Sequence, residues 1–135
     1  MKMEEYIVTI VDIKTNSEFQ TTIFADEAET TENIVLKIYV EDQEVCASDY
    51  NYLPAYQKLR DKLLEMYYGI KCNGSRLNAV QSGMMGANDK IYLVELGRQA
   101  LNKNIVSLYE YSDIKEFPNT KEQNVFFEKW CKSIR

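Results

Sequence analysis

In the segment Asn33-Ile-Val-Leu-Lys-Ile-Tyr-Val40, Ile34, Leu36, Ile38 and Val40 fall on one side of an extended chain and Lys37 on the other. Successive strand side chains point to opposite faces, so this segment makes a sheet with one apolar face that another layer must cover. The cover follows directly. From Tyr52 the apolar period lengthens to three and four residues, and Tyr52, Tyr56, Leu59, Leu63, Met66 and Tyr67 line one stripe of a helix. Lys58, Arg60, Asp61, Lys62 and Glu65 fall mostly on the opposite side and are expected in solvent. Asp49 or Asn51 is placed to cap this helix, Pro54 suits its first turn, and Gly69 marks its end.

Other segments extend the same pattern. Tyr6 to Ile13 is dense in β-branched residues, Lys14 to Ser17 is a polar turn, and Glu18 to Phe24 returns as the second arm of a hairpin. In that arm Phe19, Thr21 and Ile23 share one face, and Glu18, Gln20 and Thr22 the other. Asp26 to Glu32 reads as a connection or one short helical turn, and Val45 to Ala47 as a short antiparallel return after the turn at Glu41 to Glu44. Asp89 to Leu96 and Asn104 to Tyr111 read as a later strand pair. A last helix is predicted from Thr120, with Gln123 completing a capping box and Phe126, Phe127, Trp130, Cys131 and Ile134 as its apolar stripe. The expected fold is α+β, a predominantly antiparallel sheet of five or six strands packed with two main helices, in a single domain over residues 1–135.

Composition narrows the chemistry. The chain has no histidine, which removes Cys-His pairs, serine-histidine-acid triads and histidine-rich metal centres. Cys46, Cys72 and Cys131 are odd in number and far apart, so buried packing is their default role and a disulfide framework is not expected. With 16 basic and 21 acidic residues the formal charge is -5, which disfavours nucleic acid and favours a basic partner or no macromolecular partner at all, since net charge alone also serves solubility. No apolar run approaches the length of a membrane span, and Met1-Lys-Met-Glu-Glu5 lacks the pattern of a signal peptide. A cytoplasmic protein without cofactor or metal is expected.

Four of the five glycines lie between Gly69 and Gly86. Glycine lets other groups approach the backbone closely, so the cluster predicts a constrained loop. Cys72, Asn73, Ser75, Arg76, Asn78, Gln81 and Ser82 give that loop donors and acceptors. Two readings stand side by side. In one, Asn73-Gly74 makes a tight turn and the polar groups complete internal hydrogen bonds. In the other they form a surface where Arg76 reads a carboxylate or phosphate. Cys72 would be a nucleophile only if a positive field lowered its pKa, and Asp89 or Glu95 would be the nearest candidate acids; Asp113 and Glu116 read equally well as solvent-facing charges. The glycines match neither standard phosphate-binding fingerprint. Met84 and Met85 fill core or make an adaptable contact, and ten tyrosines fill sheet faces or anchor an interface.

Taken together, Gly69-Ile-Lys-Cys-Asn-Gly-Ser-Arg76, Ser82-Gly-Met84 and Lys90-Ile-Tyr-Leu-Val-Glu-Leu-Gly97 resemble small uncharacterised bacterial proteins of the toxin-immunity kind, over roughly residues 50–112. The resemblance implies a cytoplasmic binding protein that blocks a toxin, and it transfers no catalytic residue. The leading expectation is therefore a non-enzymatic protein-binding module that masks a basic toxin, with Tyr67, Tyr68, Arg76, Met84 and Tyr92 as the contact residues. The alternatives are a small enzyme that handles an anionic substrate through the 72–76 loop, and a structural protein with no small-molecule site.

Overall fold

The computed structural model describes residues 2–27, 33–86 and 88–135. Two antiparallel sheets and two main helices make an α+β fold. The larger sheet uses β1 (Lys2–Asp12), β2 (Glu18–Glu27), β3 (Ile34–Val40), β4 (Gln43–Asp49) and β5 (Tyr68–Ile70), in the order β4-β3-β2-β1-β5. Helix α1 (Tyr52–Glu65) lies on one face of it. The smaller sheet orders β6 (Ala79–Val80), β7 (Lys90–Leu93) and β8 (Ile105–Ser107) in sequence, and α2 (Thr120–Ser133) follows.

The period-two alternation of β3 sets the core. Ile34, Leu36, Ile38 and Val40 are buried, and the register of the sheet places Ile23, Ala25, Val45 and Ala47 beside them. Tyr56, Leu59 and Leu63 of α1 close over this face. Trp130 of α2 packs with Val80 and Val94 in a second, smaller cluster at the β6–β7 sheet. Among the described residues, α2 contributes nothing to the main core.

Several expectations are revised. β5 was not anticipated, because Gly69 reads as a helix terminator; it is instead a strand residue opposite Val11, with the Phe117 ring seated where a side chain would be. Tyr67 leaves the helical stripe with φ of 66° and is half exposed. Asp26 and Glu27 continue β2, while the rest of the expected 26–32 connection lies outside the described residues. The later strands are shorter than predicted, at Lys90–Leu93 and Ile105–Ser107. Cys46 is exposed on β4 rather than packed inside.

Arg60 is the largest departure, being only 1% exposed although it stands among charged helix residues. Its Nε donates to Asp61 at 2.9 Å and its Nη2 to Gln123 Oε1 at 2.6 Å, leaving Nη1 without a partner. Gln123 is withdrawn into the interior, so the capping box of α2 forms one residue earlier, between Asn119 and Glu122. The Gln123 amide nitrogen donates to the carbonyls of Gly74 and Arg76 at 3.0 and 2.7 Å, and its oxygen also accepts from Gln57 at 3.0 Å. One side chain thus ties both helices to the glycine loop. Replacing it with leucine strands the Gly74 carbonyl, takes one of two donors from the Arg76 carbonyl and removes an acceptor from the Arg60 guanidinium, so Gln123→Leu is expected to lose about 2–4 kcal/mol of unfolding free energy in urea titrations. Substitution of the exposed neighbour Asn124 by alanine should change it by less than about 0.5 kcal/mol.

Candidate functional site

The glycine loop is built inward. After β5 the chain enters a 3-10 turn at Asn73–Ser75, whose three residues are all buried. Gly74 sits so close to Leu108 and Tyr56 that an added Cβ would come within 2.7 Å of the leucine. Cys72 and Ser75 both bond the buried Tyr56 hydroxyl, at 3.1 and 2.5 Å. Asn73 donates to the Ser107 carbonyl, Asn78 to that of Val94, and Gln81 to those of Asn88 and Lys90 while accepting from the Leu53 amide. Ser82 is exposed. Of the two readings of the loop, the internal one describes Cys72, Asn73, Ser75, Asn78 and Gln81.

The enzyme arrangement is not assembled by these positions. Burial pushes the Cys72 thiol above its ordinary pKa, opposite to what a nucleophile needs. Arg76 turns its Nε to Ser112 Oγ at 2.6 Å and borders a separate groove of about 670 Å³ shared with Asp113, Lys115, Glu116 and Glu122. Asp113 in that groove is paired with Lys71 and Lys115. Asp89 accepts from Ser107, and Glu95 pairs with Arg98 on the surface. Among the described residues, no group of three or more cysteine and carboxylate side chains is placed to hold a metal ion.

Of the five contact residues expected from the sequence, Tyr67, Tyr68, Arg76 and Tyr92 differ in their surroundings. Tyr68 is buried in the main core, Tyr92 packs against the second cluster, and Arg76 is half-buried in its groove. Tyr67 stands out in solvent with the Lys14 ammonium 4.2 Å from its ring centre. Met84 belongs to the 3-10 turn Gly83–Met85, and its side chain falls outside the described part of the structure. Other tyrosines form an interior cluster in which Tyr6 stacks on Tyr109 at 4.1 Å and Tyr52 and Tyr56 meet Tyr109 edge-on. Burial pushes the Tyr52 hydroxyl up to about 12 and raises those of Tyr56 and Tyr109 well above the ordinary tyrosine value, so all three stay neutral.

What the fold leaves open is the sheet face opposite α1. The pairing registers place Met3, Glu5 and Ile7 of β1 on it, beside Asp26, Phe24 and Thr22 of β2 and Val35, Lys37 and Tyr39 of β3. Met3 is 61%, Ile7 71% and Tyr39 46% exposed. Phe24 meets Tyr39 edge-on at 6.3 Å. Met3, Phe24, Asp26, Val35, Lys37 and Tyr39 surround a shallow depression of about 240 Å³. One oxygen of Asp26, Oδ1, is buried without a hydrogen-bond partner among the described residues. Glu44 accepts from the Tyr39 hydroxyl at 3.0 Å and sits 3.5 Å from the Lys37 ammonium. Glu5, Asp26 and Glu44 thus outnumber Lys37 on this surface. The sequence signal for it was the apolar content of both faces of β1, where Ile7 alternates with the core residues Tyr6 and Val8.

The far end of this face is closed. Phe117 covers Gly69, and Lys71, on the same side, bonds Glu18 and Asp113 at 2.7 and 2.9 Å. These hydrogen bonds hold the Lys71 ammonium above its usual pKa. Lys71 first and Lys115 second pull the Asp113 carboxyl from 3.8 down to about 2.

The sequence matches no protein-family model and no curated protein.

Two measurements check this geometry. In native protein Cys46 should react rapidly with a thiol reagent, whereas Cys72 should react only as fast as the chain unfolds. A depressed carboxyl contributes stability above its unfolded pKa and loses it as pH falls through the folded value. The Asp113 contribution should therefore be full above about pH 4–5 and disappear toward about pH 2. A carboxyl-detected titration should show the Asp113 midpoint returning toward the ordinary range in Lys71→Met.

Proposed function

We propose that this chain is a non-enzymatic protein-binding module that uses its open sheet face to receive a basic protein. The observation that carries the reading is the pairing of large exposed apolar side chains at Met3, Ile7 and Tyr39 with the unpartnered Asp26 oxygen among them. Contiguous apolar surface of this kind gains by being covered. A lysine or arginine arriving with the cover would supply the missing donor to Asp26, and the excess of carboxylates would steer it. The formal charge of -5 acts in the same direction.

An immunity-type role follows naturally from such a surface. The protein would inhibit a basic toxin by occupying its cationic surface, through exclusion and charge neutralisation rather than chemistry. Three free thiols suit the reducing cytoplasm. Among the described residues, no helix is long and apolar enough to cross a membrane. The interface in this reading lies on the sheet face rather than around the glycine loop, because the loop spends its polar groups internally.

The test is an affinity measurement on the partner recovered from the source cell. Ile7→Lys and Asp26→Asn should each weaken binding by about tenfold or more, and the association rate should fall as salt rises. Tyr67→Ala and Arg98→Ala, away from this face, should leave affinity within about twofold. A partner whose affinity ignores the face substitutions would remove the reading.

A further inference from the structure

We infer that the Met3–Ile7 segment of β1 is an acceptor edge, to which an extended segment with alternating apolar and basic residues adds as a further strand. This rests on the reading of the chain as a partner-binding module and supplies the way in which the partner is held.

The backbone makes the case. In β1 the amide of Asp12 donates toward β2, to Ser17. The carbonyl of Thr9 and the amide of Ile13 face the other way and bond Lys71 and Tyr67 at the β5 side. Strand residues alternate in direction, so the N–H and C=O groups of Met3, Glu5 and Ile7 also face the β5 side. β5 reaches only Ile10, Val11 and Asp12. Beyond it, none of the described residues bonds the main chain of Met3, Glu5 or Ile7 on that side. Three donors and three acceptors therefore stand in line along an open edge.

The opposite edge of the sheet is guarded. On β4 the carbonyls of Cys46 and Ser48 accept from Lys62 and Lys58 of α1, at 2.6 and 3.2 Å. Ammonium groups over edge carbonyls discourage strand addition. Among the described residues no ammonium bonds the carbonyls of Met3, Glu5 or Ile7, and Met3 and Ile7 stand beside that edge at 61% and 71% exposure. An added strand would bond the backbone and lay its own side chains against this face, as in β-augmentation.

The side-chain order selects the occupant. Met3-Glu5-Ile7 reads apolar, acidic, apolar along one face, which is complemented by apolar, basic, apolar on the added strand. A second copy of this chain fits poorly. Antiparallel pairing that uses all three residues puts Glu5 opposite the Glu5 of the other copy, and like charges in that position oppose pairing. A shift by two residues one way sets Met3 against Thr9, whose carbonyl already accepts from Lys71, and the other way pairs only Met3 with Glu5, leaving the apolar Ile7 out of the three-residue match.

The experiment titrates the full chain, labelled for amide detection, with a short peptide of alternating valine and lysine. A second peptide has the same side chains but carries N-methyl groups along its bonding edge. At saturation the amides of Met3, Glu5 and Ile7 should exchange at least about tenfold more slowly, and the methylated peptide should bind at least about tenfold more weakly. Ile7→Pro removes one edge N–H without touching the β1–β2 ladder and should abolish the protection. Glu5→Lys, an exposed substitution that tests the same point should the proline variant unfold, should reverse the preference toward a valine–glutamate peptide.

Equal binding of both peptides, with shifts confined to Phe24, Val35 and Tyr39, would overturn the edge inference while leaving the face reading intact. Concentration-dependent dimers that protect the same three amides without peptide would assign the edge to a second copy and overturn it as well. Absence of saturable binding up to millimolar peptide would also overturn it. The face reading is judged separately, by the Asp26→Asn effect on partner affinity.

Discussion

The buried carboxamide of Gln123 is the point on which the arrangement of loop and helices depends. An amide has two donors and one acceptor oxygen with two lone pairs, and here all are used within hydrogen-bond distance. One donor holds the carbonyl of Gly74, to which no described backbone amide donates, and the other joins the Ala79 amide on the carbonyl of Arg76. The oxygen takes Nη2 of the buried Arg60 guanidinium, whose Nε is paired with Asp61. Each partner makes the others tolerable, because a polar group withdrawn from water is costly when unpaired and a complete network is not. The position of α2 follows from this contact, and with it the placement of α2 away from the main sheet.

Much of this architecture was legible in the sequence because it rests on periodicity. The alternation Ile34, Leu36, Ile38, Val40 and the stripe Tyr52, Tyr56, Leu59, Leu63 each describe one buried face, and both are buried. The antiparallel hairpin and the short return at β4 were legible for the same reason. Arg60 was not, since a charged residue on the polar side of a helix carries no mark that another helix will cover it. Gln123 was disguised by its distance from Thr120, which imitates a cap. β5 was hidden by its length of three residues and by a glycine at its centre, whose missing side chain makes room for Phe117. Tyr67 occupies a left-handed conformation after the helix, at a place where glycine is the usual choice.

The candidate site shows the same division. Concentrated glycines and polar side chains pointed to residues 72–82, and that segment is special, but as a joint: its atoms are bonded to one another and to the core. A polar cluster in sequence does not reveal whether its groups look inward or outward, because that depends on the elements packed against it. The open sheet face gave a weaker signal, spread over three strands that are distant in the chain and adjacent only through the register. Ile7, Phe24, Val35 and Tyr39 were legible one at a time as strand residues, whereas Met3 lies ahead of the Tyr6 at which the first strand was expected to begin. Their assembly into one uncovered surface depends on where the second helix goes.

The lysines that sit over the β4 carbonyls bear on stoichiometry. A sheet with two receptive margins can be extended in both directions and is liable to grow into filaments, one molecule templating the next. Lys58 and Lys62 close one margin, so growth through this sheet is polar and ends after a single addition unless the newcomer brings its own free margin. A strand added at the other margin would thus give a one-to-one complex, with the two ammonium groups that stitch α1 to the sheet standing against further growth.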